Sequence, residues 1–230
     1  MESYRRGARV VILGAGGHAR EVLDVYDACN EAGWGPLEVL GFLDDDRQPG
    51  DRVSSLTILG GIDWLGDHTD VLAICGIGDP VVRRRVVKRA GEQGASFHTV
   101  VHPTALLTSR VELGPGCLIT AGCILTNEIQ LGSHVHLNLA TTVSHDCRIG
   151  DYATLAPGVH LAGNVTVDPG VDIGVGASVI QQRRIGAGAV IGAGAVVTDD
   201  IPPDAVAVGV PARVVKTRSP GWGDVDRTGG

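Results

Sequence analysis

Aliphatic residues recur at every sixth position through the second half of the chain, beginning at Val101 and ending at Val197. The series consists of Val101, Leu107, Leu113, Ile119, Leu125, Leu131, Leu137, Val143, Ile149, Leu155, Leu161, Val167, Ile173, Val179, Ile185, Ile191 and Val197. A six-residue period fits neither the 3.6-residue turn of a helix nor the two-residue alternation of an ordinary strand. The pattern predicts a solenoid whose repeats are very short strands joined by turns.

A second position of the repeat, four residues after each aliphatic, is small or β-branched almost throughout. Cys117, Cys123, Thr141 and Ala153 are examples, and glycine or polar residues usually fill the positions between. We therefore expect each hexad to form one flat side and one corner, so that three hexads form a triangular coil. Stacked coils would bury the aliphatics in a continuous interior column that no single repeat could bury alone.

The first 100 residues follow a different pattern, in which short apolar runs alternate with helix-like spacing. Strands are predicted at residues 9–13, 37–43, 71–75 and 97–101, and helices at residues 19–32 and 80–92. This order predicts a small, Rossmann-like parallel α/β sheet. We divide the chain into an α/β domain (1–100), an all-β parallel β-helix with a C-terminal cap (101–216) and a flexible tail (217–230).

Composition narrows the classes of function. The 34 glycines and the 3% content of aromatic residues suit tight corners and an interior of small aliphatics. A net charge of −7 argues against a nucleic-acid-binding protein. Because no secretory signal or long apolar span precedes or interrupts the domains, we expect a cytoplasmic protein without a membrane segment.

The five cysteines also bear on the compartment. They include no metal-type C-x-x-C pair, and Cys117, Cys123 and Cys147 occupy the small position of the repeat. We interpret them as buried apolar thiols of a protein in a reducing compartment.

A glycine-rich turn follows the first predicted strand. Gly14-x-Gly16-x-x-Ala19, with Asp44 and Asp45 after the second strand, is similar to a dinucleotide-binding fingerprint. Such glycines let the backbone approach a ligand, and the N–H groups that begin the next helix can bind a phosphate. A tight turn beside a surface acid cluster is the alternative interpretation. A domain of about 100 residues is too short for a complete nicotinamide-binding fold, so we do not expect oxidoreduction.

One histidine of the repeat region has an acidic neighbour. His145 occupies a corner position of its hexad, and Asp146 follows it directly. A carboxylate beside an imidazole can orient the ring and raise its basicity. Direct acyl transfer from a thioester requires such a base, together with donors for the tetrahedral oxyanion. We interpret His134 and His160 as solvated corner histidines.

Five motifs carry a resemblance to a known family: Gly14–His18, Phe42–Asp45, Ile77–Asp79 with Arg83, Val143–Cys147 and Gly209–Arg213. In this combination, residues 9–216 resemble the hexapeptide-repeat nucleotide-sugar acetyltransferases, which include the bacillosamine-pathway and perosamine N-acetyltransferases. The sialic-acid O-acetyltransferase group shares the layout. The resemblance implies a left-handed β-helix and an N-acetyltransferase that uses acetyl-CoA as co-substrate without a metal. Its acceptor would be a nucleotide-linked sugar of the 4-amino-4,6-dideoxy type.

The resemblance also implies roles for individual residues. His145 would be the general base and Asp146 its partner. The nucleotide-linked sugar would be bound by Gly16, Gly17, His18, Asp44, Asp45, Gly78 and Asn138, with the two aspartates on the base or ribose. Acetyl-CoA would be bound by Thr154, Gly163, Val175 and Ala193. Gly163, one coil after His145, would leave space for the pantetheine arm or the acetyl group.

One position departs from the family pattern. Thr154 stands where the family often has a histidine that is associated with the acetyl donor. A threonine hydroxyl can still form a hydrogen bond, and His136, one coil earlier in the same column, is a second group that could reach this position.

The resemblance implies a homotrimer with its sites in the clefts between chains. The repeats contain no excursion loop, so His145 must project from a coil itself. We therefore expect the α/β domain of one subunit to deliver the sugar to the base of an adjacent subunit.

Three other functions fit parts of the pattern. A sugar O-acetyltransferase would use the same base on a hydroxyl acceptor. A γ-class carbonic anhydrase also has hexapeptide repeats, but its zinc needs three converging histidines with a pair five residues apart, which His134, His136, His145 and His160 do not supply. A non-catalytic protein that binds a sugar nucleotide would keep the fold without turnover.

Overall fold

The structure is a computed structural model that describes residues 8–219. The predicted flexible tail therefore lies outside the described residues from residue 220 onward, and Thr217 is the last residue of the final strand.

A six-stranded sheet with helices on both faces forms the first part of the chain. Its elements are β1 (Arg9–Leu13), α1 (Gly17–Glu31), β2 (Glu38–Leu43), β3 (Arg52–Val53), β4 (Leu56–Gly60), a 3₁₀ helix (Ile62–Asp67), β5 (Leu72–Cys75), α2 (Pro80–Glu92) and β6 (Ser96–Phe97). The strand order is β3-β4-β2-β1-β5-β6, and every neighbouring pair is parallel except β3 with β4. Alternate residues of β1 point to opposite faces, where α1 covers one side and α2 with the 3₁₀ helix covers the other.

This sheet differs from the predicted one in two places. β3, β4 and the 3₁₀ helix lie between the second and third predicted strands, and their short, mixed apolar and polar sequences gave no periodic signal. The strand predicted at residues 97–101 is two short strands, because His98 and Thr99 separate β6 in the α/β sheet from Val100–Val101 in the β-helix.

Three sheets, parallel apart from the last strand of one of them, form the β-helix, as the six-residue period predicted. We name its flat sides the domain face, the neutral face and the charged face. The strands of the domain face are Val100–Val101, Leu118–Ile119, His136–Leu137, Thr154–Leu155, Asp172–Ile173, Val190–Ile191, Ala205–Val208 and Arg213–Thr217. Those of the neutral face are Leu106–Leu107, Ile124–Leu125, Thr142–Val143, His160–Leu161, Ser178–Val179 and Val196–Val197. Those of the charged face are Val111–Leu113, Ile129–Leu131, Arg148–Ile149, Thr166–Val167 and Arg184–Ile185.

Strand pairing confirms that one coil contains 18 residues. Leu118 pairs with His136, and His136 pairs with Thr154, so each step along a face advances the sequence by one coil. The aliphatic and small positions of the repeat form one continuous buried cluster, which includes Cys117 and Cys123. All five cysteines are buried free thiols.

The α/β domain packs on one face of the β-helix only. Leu118 projects outward from the domain face, is fully buried and belongs to the core around α1. Helix α1 lies beside the edge between the domain and neutral faces, which we call the α1 edge. Helix α2 contacts the edge between the domain and charged faces through Arg83. The third edge, between the neutral and charged faces, lies opposite the α/β domain, and we call it the distal edge.

A hairpin closes the C-terminal end of the stack. Ala205–Val208 continues the parallel ladder, and Arg213–Thr217 returns antiparallel to it. Among the helices of residues 8–219, none has both the length and the apolar character needed to cross a membrane.

Replacing Leu118 by alanine should lower the free energy of unfolding by about 2–5 kcal/mol, because the leucine is buried between the two domains. Urea denaturation followed by circular dichroism measures the change. Thr166→Ala, at the matching strand position on the charged face, is the control and should change it by less than about 0.5 kcal/mol. Equal effects of the two substitutions would contradict this packing.

Candidate active site

His145 and Asp146 form a hydrogen-bonded pair on the distal edge. The chain turns there from Thr142–Val143 on the neutral face to Arg148–Ile149 on the charged face. Asp146 adopts φ of 60°, a left-handed conformation that aspartate tolerates better than most residues. Its Oδ2 lies 2.7 Å from His145 Nδ1, and the His145 side chain is 58% exposed. A carboxylate only accepts, so Nδ1–H donates and Nε2 keeps its lone pair for an incoming proton.

Gly163 lies directly against the His145 ring. A Cβ atom at Gly163 would stand 2.5 Å from His145 Cε1 and 2.6 Å from Nε2. The stacking predicted for this corner is confirmed, because Asn164 N donates to His145 O and Gln182 N donates to Gly163 O. The imidazole occupies the space that a Gly163 side chain would need, and passage of the pantetheine arm or the acetyl group beside Gly163 stays a prediction.

The glycine turn after β1 leaves the start of α1 uncovered. Gly16 is the N-cap of α1 without a side-chain cap, and a Cβ atom there would meet nothing within 4 Å. At Gly17 the nearest atom would be Arg20 Nη2, 3.8 Å away. Asp44 Oδ2 shapes this turn by accepting a hydrogen bond of 2.9 Å from Ala15 N. The first N–H groups of α1 are therefore accessible to an anion.

The two predicted acidic residues have different surroundings. Asp44 faces the glycine turn, whereas Asp45 accepts from Ile62 N at 3.0 Å and forms an ion pair of 2.7 Å with Arg89. The hydrogen bond from Ile62, with a further contribution from Arg89, holds the pKa of Asp45 below its ordinary value. Asp44 therefore lies at the predicted ligand site, while both oxygens of Asp45 are engaged by the 3₁₀ helix and α2.

His18 joins the glycine turn to the β-helix. Its Nε2 lies 3.1 Å from His136 Nδ1, and its Nδ1 lies 3.0 Å from Glu21 Oε2. A Cβ atom at Gly78, which follows β5, would lie 4.0 Å from His18 Cδ2. The structure thus brings Gly16, Gly17, His18 and Gly78 together at the carboxyl ends of the central strands, where α/β sheets bind ligands.

Asn138 contributes to a cavity of about 280 Å³ at the α1 edge. Its side chain is 9% exposed and its Nδ2 donates to Leu155 O at 2.9 Å. Glu21 and Val25 of α1 form the opposite wall, and Pro157 lies one coil beyond Leu139. The cavity lies one turn along α1 from His18, so a ligand bound at the glycine turn could extend into it.

The four residues predicted to bind acetyl-CoA lie on separate parts of one chain. Val175 and Ala193 are exposed and stacked on the α1 edge, where Gly194 N donates to Val175 O. Gly163 lies on the distal edge. Thr154 is buried under the α/β domain, and its hydroxyl donates to Gly78 O at 2.8 Å and accepts from Arg83 Nη2 at 2.9 Å. Contact of Thr154 with the acetyl donor stays a prediction, and its hydroxyl hydrogen is already donated to Gly78.

The structure buries two histidines of the repeats beneath the α/β domain. His134 is 4% exposed rather than solvated, because Phe97 and Tyr152 cover its ring. Burial, with a smaller contribution from Arg83, lowers the pKa of His134 to about 4. His136 is fully buried between His18 and Arg83. His160 is exposed as predicted, but it lies on the neutral-face strand His160–Leu161 and not at a corner. No periodic or local motif indicates how the α/β domain docks and buries the first two rings.

Within residues 8–219, no group of three histidine, cysteine, aspartate or glutamate side chains is arranged to hold a metal ion. At the distal edge, His145 and Asp146 offer the chemistry of a carboxylate-oriented imidazole.

Comparison with known proteins identifies the family to which the chain belongs. The sequence signature described as the PglD N-terminal domain matches residues 9–90. The GDP-perosamine N-acetyltransferase of Escherichia coli O157:H7 is 32% identical over 184 residues, which cover 80% of this chain and 82% of the relative. The chain belongs to the hexapeptide-repeat nucleotide-sugar acetyltransferase family. Membership makes it an acyltransferase, as the motifs predicted.

Solved structures of this family share the whole architecture. PerB of Caulobacter crescentus, in complex with CoA and GDP-perosamine, is 33% identical and has a TM-score of 0.83, with 91% of this chain and 98% of PerB covered. The acetyltransferase domain of PglB from Neisseria gonorrhoeae, in complex with acetyl coenzyme A, is 30% identical and has a TM-score of 0.82, with 90% and 98% covered. These matches confirm the predicted combination of an α/β domain and a left-handed β-helix.

Gly163→Ala should lower the acetyl-transfer rate constant by about 100-fold, because the new methyl group must displace the His145 ring by about 1 Å. Steady-state kinetics with free-thiol detection measures the loss. Gly91→Ala in α2, where a Cβ atom meets nothing within 4 Å, is the matched control and should retain the rate. Unchanged kinetics of Gly163→Ala would show that the ring position does not limit catalysis.

Proposed function

We propose that the protein transfers the acetyl group of acetyl-CoA to the amine of a nucleotide-linked amino sugar of the 4-amino-4,6-dideoxy type. The observation that carries the proposal is the His145 ring, which Asp146 orients on an exposed edge with Nε2 available. The similar structures support the choice of substrates, because PerB is in complex with CoA and GDP-perosamine. A metal is not part of the proposal.

The reaction is a direct transfer. The sugar amine attacks the thioester carbonyl carbon, and His145 Nε2 takes the proton that the nitrogen loses as the C–N bond forms. The tetrahedral oxyanion is met by backbone N–H groups of the coils. The C–S bond then breaks, and the sulfur leaves as the thiol of CoA with the proton returned from the imidazolium. Asp146 keeps the ring in the required tautomer and stabilises its charged form.

The nucleotide-linked sugar would lie along the start of α1. Its phosphates would meet the open N–H groups at Gly16 and Gly17 beside His18, with Asp44 on the base or ribose, while Gly78 leaves room next to β5. The sugar would then extend towards Asn138 and the cavity at the α1 edge. Val175 and Ala193 lie farther along that edge, where an extended cofactor can run over exposed small residues.

The proposed positions of the sugar and the cofactor lie far from His145 of the same chain. The sugar and cofactor residues lie on the domain face and the α1 edge, whereas His145 and Gly163 lie on the distal edge, across the neutral face. A ring of subunits that places the α1 edge of one chain against the distal edge of the next brings the halves together. We propose that this ring is a homotrimer with the active site between chains.

The neutral face is suited to the contact between subunits. Its outward residues include no Asp, Glu, Lys or Arg, and Leu106 and Ile124 are exposed by 64% and 41%. Outward residues of the charged face include Glu112, Arg148 and Arg184. The neutral face is uncharged and partly apolar, and it lies between the α1 edge and the distal edge, which carry the two halves of the site. We therefore expect it to face the axis of the assembly.

We place the protein in the cytoplasm. Cys29, Cys75 and Cys117 are buried free thiols, and burial raises their pKa values to about 11, 11 and 12. Such unpaired thiols fit a reducing compartment.

His145→Ala should lower the transfer rate constant by about 10²–10⁴-fold, because general-base catalysis contributes a factor of that size. The assay follows thiol release from acetyl-CoA with GDP-, UDP- and dTDP-linked 4-amino sugars and the matching 4-hydroxy sugars. His68→Gln, a substitution of a histidine in the α/β domain, is the control and should retain the rate. Retained activity of His145→Ala would overturn the assignment of the base, and faster turnover of the hydroxy sugars would identify an O-acetyltransferase.

Mixed assemblies should recover activity from two inactive variants. His145→Ala lacks the base, and Gly16→Trp blocks the start of α1. In a trimer that contains both variants, one of the three sites combines the intact α/β domain of a His145→Ala chain with the intact His145 of a Gly16→Trp chain. We therefore expect about one third of the wild-type rate. Two differently tagged variants, purified through both tags, provide the sample. If these mixed trimers stay inactive, the site lies within one chain.

A further inference from the structure

Two arginines occupy equivalent outward positions on the charged face, two coils apart. Arg184 forms an ion pair of 2.8 Å with Asp168. Arg148 is exposed and forms no ion pair within residues 8–219, and its Nη1 donates instead to Gln130 Oε1 at 2.7 Å. This neutral amide, one coil earlier, orients the guanidinium without cancelling its charge. Arg148 is therefore a positioned cation that is available to an anionic ligand.

A cavity of about 270 Å³ lies beside Arg148, where the charged face meets the distal edge. Asp146 and Asn164 also line this cavity. Asp146 is the partner of His145, and Asn164 follows Gly163 in the next coil. The cation and the proposed base therefore belong to one continuous surface of the same chain.

The other acidic side chains of this cavity do not contact Arg148 directly. Glu128 forms an ion pair of 3.7 Å with Arg110. Glu112 lies two coils before Arg148 in the same column, and Gln130 stands between them. The positive charge of Arg148 is consequently not neutralised by an ion pair with the carboxylates around it.

The proposed trimer sets the charged face of one chain against the α/β domain of the next. Its neutral faces surround the axis, so the stacks run along the axis and equal coils lie at equal heights. Each contact joins the α1 edge of one chain to the distal edge of another. Outside this contact, the domain face of the first chain and the charged face of the second form the walls of a cleft. The α/β domain of the first chain lies in that cleft.

Arg148 lies at the same height as the start of α1. It belongs to the coil of residues 136–153, and His18 Nε2 at the start of α1 lies 3.1 Å from Nδ1 of His136 in that coil. The open N–H groups at Gly16 are thus level with the guanidinium of the adjacent chain, on the opposite wall of the cleft.

Two phosphate-bearing ligands could meet this cation, the nucleotide-linked sugar and acetyl-CoA. Val175 and Ala193, which are predicted to bind acetyl-CoA, lie two and three coils beyond the coil of Arg148, because one coil contains 18 residues. The glycine turn, by contrast, lies at the height of Arg148. The heights therefore favour the diphosphate of the nucleotide-linked sugar.

We propose that Arg148 binds the diphosphate of the nucleotide-linked sugar that the adjacent chain holds at the start of α1. This inference rests on the proposed function. Backbone N–H groups of one chain and a guanidinium of the other then hold the diphosphate between them, so the acceptor binds fully only in the assembled cleft. Because Arg148 follows His145 by three residues, this contact also aligns the sugar amine with the base of the same chain.

Direct binding tests this assignment without turnover. Titration calorimetry measures the dissociation constants of GDP, UDP, dTDP and CoA. Arg148→Gln should weaken binding of the preferred nucleoside diphosphate by about 10- to 100-fold, as expected for loss of a hydrogen bond between charged groups. Arg148→Lys should lose less, because it keeps the charge without the planar fork. CoA binding should be unchanged. Arg184→Gln, at the equivalent position, is the matched control and should retain the affinity for both ligands.

Mixed trimers test whether Arg148 acts across the interface. In assemblies of His145→Ala and Gly16→Trp chains, the intact site takes its base from the Gly16→Trp chain. Arg148→Gln on that chain should therefore raise the Michaelis constant for the amino sugar about tenfold or more. The same substitution on the His145→Ala chain should leave this constant unchanged, and the reverse pattern would overturn the inference.

Unchanged affinity of Arg148→Gln for the nucleoside diphosphate, or an equal loss of affinity for CoA, would also overturn the inference. A wild type that is monomeric or binds no nucleoside diphosphate would do the same. Size-exclusion chromatography and circular dichroism establish that the variants are folded trimers. If the wild type binds a nucleoside diphosphate but acetylates no amino sugar, the proposed function fails instead, and calorimetry still decides whether Arg148 binds the diphosphate.

Discussion

Backbone hydrogen bonds between successive coils, which pair residues 18 positions apart, determine where every side chain of the β-helix lies. The ladder places His136, Thr154 and Asp172 in one column on the domain face, and His145 with Gly163 in another column on the distal edge. Within each column, residues of successive coils are direct neighbours. Gly163 illustrates the consequence, because the ring one coil earlier needs the space that a larger residue would occupy.

The parts of the structure that could be predicted from sequence are those with local causes. The six-residue period identifies the coils, and adjacency in the chain is sufficient to pair His145 with Asp146. The glycine turn predicts the open start of α1, although the helix begins at Gly17 rather than Ala19. β3 and β4 were missed because strands of two and five residues, rich in turn-forming neighbours, show no clear alternation.

Features that depend on docking of the two domains could not be predicted. His134 lies at a corner and His160 on a strand of similar repeats, and the rings of Phe97 and Tyr152 cover His134. Asp44 and Asp45 are neighbours in sequence, but their carboxylates bond to different elements. The contacts of Arg83 with residues some 50 to 70 positions later follow from neither periodicity nor a local motif. Each requires the relative placement of sheet and solenoid.

The uninterrupted ladder also restricts how such a chain can change in length. One residue added within a coil would turn every later side chain of that coil away from its place, so that charged groups would enter the interior and aliphatics would face water. A whole extra coil, inserted or deleted, would keep all inward positions inward while moving the C-terminal hairpin farther from or nearer to the α/β domain. We therefore expect viable length variants of this protein to differ by multiples of one coil, or by loops that leave and rejoin the stack at a single corner.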